Sequence, residues 1–162
     1  QEDLLEACRE HFDLLPQSSL RQSQETLESL YREGRHAFAL YAGGAYTVLA
    51  LRDPQVMADL LPDKSPAYQL LDVSVLHSLV LERHLHIDKE NMANQKNLTY
   101  TRSAEEAVAS VDQGESQCCF LLNPTRVEEI GQVAQNGDKM PQKSTYFYPK
   151  LITGLVINSL ED

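Results

Sequence analysis

No apolar run in this chain approaches the roughly 20 residues that a helix needs to cross a bilayer. The amino end, Q-E-D-L-L-E-A-C-R-E-H-F, lacks the basic start and apolar centre of a secretory leader. Positive charge is scarce too. Lysine and arginine number 14 against 24 aspartates and glutamates, for a formal charge of -10. Such a field repels phosphate backbones and anionic lipid, so neither nucleic acid nor a membrane is an expected partner; a local basic site remains compatible with it. Cysteine occurs only as Cys8, Cys118 and Cys119, with no C-x-x-C spacing. We read all three as reduced, structural thiols of a cytoplasmic protein. Tryptophan is absent, and so are G-x-x-x-x-G-K-[ST] and G-x-G-x-x-G, the two glycine-rich nucleotide fingerprints. The first residue is not methionine, so the expectation is a part of a longer protein.

What remains has ordinary globular proportions: 42% hydrophobic and 23% charged residues in 162. A chain of this length buries roughly 70% of the surface it exposes when unfolded, enough for one real core. The expected fold is a single α+β domain over residues 1–162, with a mixed β-sheet, an antiparallel hairpin and flanking helices.

The local patterns place its elements. Asp3 to Leu15 carries Leu4, Leu5, Cys8, Phe12 and Leu15 near one helical face, and Pro16 follows. Ser23 to Gly34 reads as a second helix. His36 to Tyr41 and Tyr46 to Leu51 flank Ala42-Gly43-Gly44-Ala45, a hairpin signature because Gly-Gly supplies positive φ. Asp53-Pro54 opens a short helix, and Ser65-Pro66-Ala67 breaks the chain. A strong helix should start at Asp72 and run through V-S-V-L-H-S-L-V-L-E-R-H-L. Asn97 to Thr101 reads as a strand. Capping boxes at Ser103 and Thr125 open helices to about Asp112 and Gln135. Gln117 to Leu122 between them reads as a buried strand, and Leu151 to Leu160 as a closing one. This alternation predicts βαβ-like connections.

Chemistry is less legible. His84-Leu85-His86 has an H-x-H spacing, but His77 lies two helical turns away, about 10.5 Å, and cannot share an ion with it. These histidines read as surface or packing residues, and no metal is expected. Cys118 and Cys119 sit in Q-C-C-F-L-L, an apolar setting that raises a thiol pKa and disfavours a nucleophile.

The run Met140 to Leu151, M-P-Q-K-S-T-Y-F-Y-P-K-L, is different. Two prolines make it extended or turn-like. Lys139, Lys143 and Lys150 concentrate cations in an acidic chain, Ser144 and Thr145 add hydroxyls, and Tyr146 and Tyr148 flank Phe147. Ammonium and hydroxyl donors of this kind hold a phosphate or carboxylate. In the competing reading the tyrosines pack the loop and the lysines are solvated.

M-P-Q-K-S-T-Y-F-Y-P-K-L-I-T-G-L-V-I resembles the closing signature of the bacterial and archaeal domain of unknown function 1015 family. L-L-D-V-S-V-L-H-S-L-V-L-E and C-F-L-L-N-P-T resemble that family in the same order, so the likeness covers residues 66 to 160. Met140, Pro141, Lys143, Ser144, Thr145, Tyr146, Tyr148, Pro149 and Lys150 match the signature, and Asp72 and His77 match the helical motif. Members of the family are more than twice as long, with a D-G-H-H-R type motif in their amino half that is absent here. The resemblance implies phosphoryl transfer around serine or phosphoserine in the full protein, with a small phosphorylated metabolite as ligand and the missing amino-terminal half as partner and source of the catalytic base. Lys143 and Lys150 would bind phosphate oxygens, with Ser144, Thr145, Tyr146, Tyr148 and additionally His77 around them. A nucleotide with Mg is the cofactor implied for the full-length protein and none for this segment, which alone is expected to lack turnover. The alternative is a noncatalytic ligand-binding or protein-interaction module, with Tyr146, Phe147 and Tyr148 as anchors.

Overall fold

A computed structural model describes residues 2–94, 97–141 and 144. The closing strand expected over 151–160 lies outside them, as does nearly all of the 142–150 run.

The hairpin forms where Gly-Gly predicts it. β2 (Ala37–Ala42) and β3 (Ala45–Leu51) pair antiparallel around Gly43 and Gly44, at φ 56 and 78. Two consecutive positive φ values suit a turn matching the natural twist of the strands. β1 (Phe12–Gln17) pairs antiparallel with the far side of β3, and β4 (Cys118–Leu122) antiparallel with the far side of β2. The order is β1-β3-β2-β4.

The mixed sheet is thereby corrected: every neighbouring pair among the described strands is antiparallel. Crossovers exist nonetheless. β1 and β2 run the same way, joined by helix α2 (Leu20–Arg32), yet β3 lies between them. β3 and β4 also run the same way, with β2 between them. Each crossover lands one strand over and leaves a gap that an opposed strand fills.

The first predicted helix needs the same kind of correction. α1 covers only Glu2–Cys8, and Phe12 to Gln17 is strand. The apolar residues at 12, 14 and 15 fit either period locally; ladder bonding to β3 decides. Arg52 N–H donates to the His11 carbonyl at 3.0 Å. Counting in twos along the antiparallel ladder puts Pro16 where its missing N–H faces away from β3, an edge position that tolerates proline.

Alternation along the strands creates two cores. Phe12, Phe38, Leu40, Leu49 and Leu51 face one side, against Leu4, Leu5 and Cys8 of α1, Met57, and Val75 and Leu79. Ala37, Ala39, Val48, Ala50 and Leu121 face the other, against Leu27 and Leu30 of α2 and Ala104 and Ala107 of α7 (Ala104–Asp112). β2 is therefore buried along its whole length. β4 has only Leu121 fully buried, so the strand expected to be buried is half-buried.

Three further expectations change. Ser65 does not merely break the chain: its hydroxyl accepts from Tyr68 N–H and caps the four-residue helix Pro66–Gln69. Asn97 to Thr101 is not strand. The helix from Asp72 is α-helical only to Leu76 (α5) and continues as a π-helix over His77–Glu82. The Ser103 cap forms as predicted, accepting from Glu106 N–H at 3.1 Å. The second cap shifts by one residue: α8 spans Val127–Gln135, and the Glu129 carboxylate accepts from Arg126 N–H at 2.7 Å.

Past the π-helix the chain reverses at His86, φ 55, the one non-glycine residue of positive φ among those described. Ile87 N–H then reaches the Leu81 carbonyl at 2.8 Å. The left-handed region costs an L-residue roughly 1–2 kcal/mol, partly offset by glycine's greater unfolded entropy. His86→Gly should therefore raise stability by about 0.5–1 kcal/mol in urea titrations; a loss instead would show that the imidazole makes a stabilising contact.

Candidate functional site

Four segments converge where β2 begins. Gly34 and Arg35 turn the end of α2 into β2, with Gly34 N–H donating to the Tyr31 carbonyl at 2.9 Å. α5 begins at Asp72, and its carboxylate Oδ1 meets His36 Nδ1 at 3.2 Å. The two side chains are 22% and 14% exposed, so the pair is shielded but not sealed.

From the other side comes the turn between β4 and α8. Asn123 Nδ2 donates to the Leu27 carbonyl at 2.9 Å, tethering this turn to α2. Arg126 follows. Its Nη2 donates to Glu28 at 2.8 Å, and its guanidinium carbon stands 4.9 Å from the centre of the Tyr31 ring. Its Nε is buried without a partner. Burial raises the Tyr31 pKa first, then the Glu129 carboxylate; Arg126 opposes them, and the Asp72 carboxylate adds a smaller upward push. Tyr31 thus lies within electrostatic reach of both Arg126 and Asp72.

The segment singled out in the sequence arrives at the same turn. Thr125 Oγ1 donates to the Ser144 carbonyl at 3.0 Å. The Ser144 hydroxyl donates to the Pro141 carbonyl at 2.6 Å, so its proton shapes the loop, while its oxygen remains an acceptor. The other end of the loop is also fixed. Asp138 accepts from Ser65 N–H at 2.7 Å and from Lys64 at 3.2 Å; these bonds, led by those to Ser65, hold its carboxyl below the usual range. Lys143, Thr145, Tyr146, Tyr148 and Lys150 lie outside the described residues.

Lys139 stands between the two anchors, exposed. The arginines whose partners are described pair with Glu or Asp, and Lys64 pairs with Asp138. Lys139 has no acidic partner among the described residues. The α8 N-terminus itself is no anion site, because Glu128 and Glu129 occupy its first turn.

His77 stands at the start of the π-helix. Burial lowers its pKa to about 4, so it is neutral at pH 7 and brings no charge to an anion. Burial also raises all three thiols, Cys8 and Cys119 to about 11, which leaves them protonated and poor nucleophiles. Among the described residues no group of three or more His, Cys, Asp or Glu is placed to hold a metal, and no helix is long and apolar enough to cross a membrane.

Sequence reasoning pointed to Asp72 and Ser144 through motifs. It missed Tyr31, His36 and Arg126, which are far apart in the chain and sit in unremarkable local contexts. The one available signal was that Arg126 lies inside a capping segment directly after C-F-L-L-N-P-T.

No protein-family model matches the chain, and no curated protein and no solved structure matches it.

Proposed function

We propose that this chain is the phosphate-binding domain of a phosphoryl-transfer enzyme, its ligand a small phosphorylated metabolite or the phosphates of a nucleotide. The segment from Lys139 to Lys150 supplies the cations. One observation supports this most: the loop is tethered at Asp138 and Ser144, and Lys139 between the tethers has no acidic partner among the described residues, in a chain whose other described ion pairs are numerous. Anchored donors keep their geometry, and phosphoryl transfer depends largely on positioning and charge neutralisation. The resemblance of the closing run to the domain of unknown function 1015 signature adds the serine or phosphoserine context, with a Mg nucleotide and an amino half completing the enzyme.

A second reading has its own observation. The Arg126 guanidinium is bonded to Glu28 and the Ser144 proton to Pro141, both internal uses. In this reading the loop is a noncatalytic ligand-binding or interaction surface.

Lysine variants separate the two. Lys139→Ala, Lys143→Ala and Lys150→Ala should each weaken binding of nucleotide or phosphoserine about tenfold, since a charge-assisted bond contributes roughly 1.5–3 kcal/mol. Stability should move by no more than about 0.5 kcal/mol, as for surface lysines generally. Calorimetric titration beside melting curves reads both. Wild-type affinity in all three variants would leave the module reading standing alone.

A further inference from the structure

We propose that His36, held by Asp72, is the proton acceptor of this corner, taking the proton of a substrate alcohol that receives the phosphoryl group. The inference rests on the phosphate-binding reading above and places the base in this chain.

The geometry begins with the contact: His36 Nδ1 and Asp72 Oδ1 are 3.2 Å apart. An ionised carboxylate can only accept, which assigns the proton to Nδ1 and leaves the lone pair of the neutral imidazole on Nε2. No described residue engages Nε2, and it is not among the buried polar atoms left without a partner. A carboxylate behind an imidazole with an open lone pair in front fixes the tautomer and stabilises the imidazolium as it forms. Asp72 is a positioning residue, and the α5 backbone holds it: Val75 N–H donates to the Leu71 carbonyl at 3.0 Å, and Leu71 and Val75 are buried.

The surroundings match the role. Tyr31 of α2 is within electrostatic reach of Asp72 and carries the Arg126 guanidinium 4.9 Å from its ring centre, and the tethered loop meets the same β4–α8 turn through Thr125. In the step, the alcohol oxygen attacks the γ-phosphorus of a nucleoside triphosphate. The new O–P bond forms as the bridging P–O bond breaks, the nucleoside diphosphate leaves, and the alcohol proton passes to Nε2.

The test has three readouts on the full-length protein. Nitrogen-15 NMR of the imidazoles should show His36 protonated on Nδ1; protonation on Nε2 overturns the proposal. Diethyl pyrocarbonate should acylate His36, and Asp72→Asn should slow that about tenfold relative to exposed His86, with Asp72→Glu restoring much of it. An unchanged ratio overturns the proposal, and a variant that fails to fold is recognised by its melting curve, leaving the NMR result to decide. Finally, nucleoside triphosphate should protect His36 from acylation. Calorimetric binding without protection sinks this inference and spares the phosphate-binding reading; no binding at all sinks both.

Discussion

Acidifying the domain from pH 7 to pH 4 should cost it up to about 3 kcal/mol through His77 alone. Burial holds this imidazole neutral down to about pH 4, against an ordinary value of 6.5. Between those limits the unfolded chain binds a proton that the folded chain refuses. Stability is therefore complete above about pH 6.5, falls as pH drops, and levels off below about 4. His84 pushes the same way, its pKa lowered by burial first and by Arg83 next. Asp13 acts in a separate window. Arg52 and Arg35, both donating to it at 2.9 Å, lower its pKa, so its contribution is lost only as pH falls below the usual carboxylate range. Urea midpoints at pH 7, 5.5 and 4 measure the slope. His77→Met should remove most of the loss between pH 6.5 and 4. Parallel curves for wild type and variant would assign the acid sensitivity elsewhere.

Phe38→Ala should cost about 3–5 kcal/mol, a large share of the whole stability of a domain this size. Phe38 is fully buried and pairs edge-on with Phe12 at 5.4 Å and Phe120 at 6.1 Å between ring centres. Those three rings come from β1, β2 and β4, so the truncation empties the place where three strands meet over one face. The Phe38 backbone lies between two strands, in register with Leu49 on one side and Leu122 on the other, which limits collapse into the cavity. Phe38→Leu should cost distinctly less, because it leaves most of the volume filled. Chemical denaturation of the two variants gives the difference; equal losses would mean that the edge-on ring geometry, not the volume, is what matters.

The readable parts of the sequence were those where side chain and backbone act within a few residues. Gly43-Gly44 forces its own turn, and Ser103 caps its own helix. Phe12 to Gln17 could not be read, because an apolar segment near a proline suits helix and strand alike until β3 lies beside it. The π-helix was hidden for a related reason: α and π share one local pattern, and only the bonds returning from the chain end, such as Leu85 N–H to Val80 at 3.1 Å, distinguish them. The candidate site divides in the same manner. Motifs exposed Asp72 and Ser144. His36 meets Asp72 across 36 positions and Arg126 meets Glu28 across 98, and no local spacing encodes such meetings.

The interleaved strand order also sets a sequence of closures for the folding chain. Joining β2 to β3 closes a two-residue turn and costs the least chain entropy. Each outer strand must then come to rest against a hairpin that already exists, β1 through α2 and β4 through the long, largely helical excursion between Leu51 and Cys118. Because closure cost grows only with the logarithm of loop length, about 0.6 kcal/mol per doubling, that excursion can lengthen or shorten with little penalty to the finished sheet. The burden falls on rate instead, since distant pairings must wait for diffusion to bring their strands together. Between Leu51 and Cys118, the stretches outside the helices that carry Met57, Val75, Leu79 and Ala107 to the two cores are thus the parts of this fold most free to vary in length, while the two glycines of the hairpin are among the least free to change.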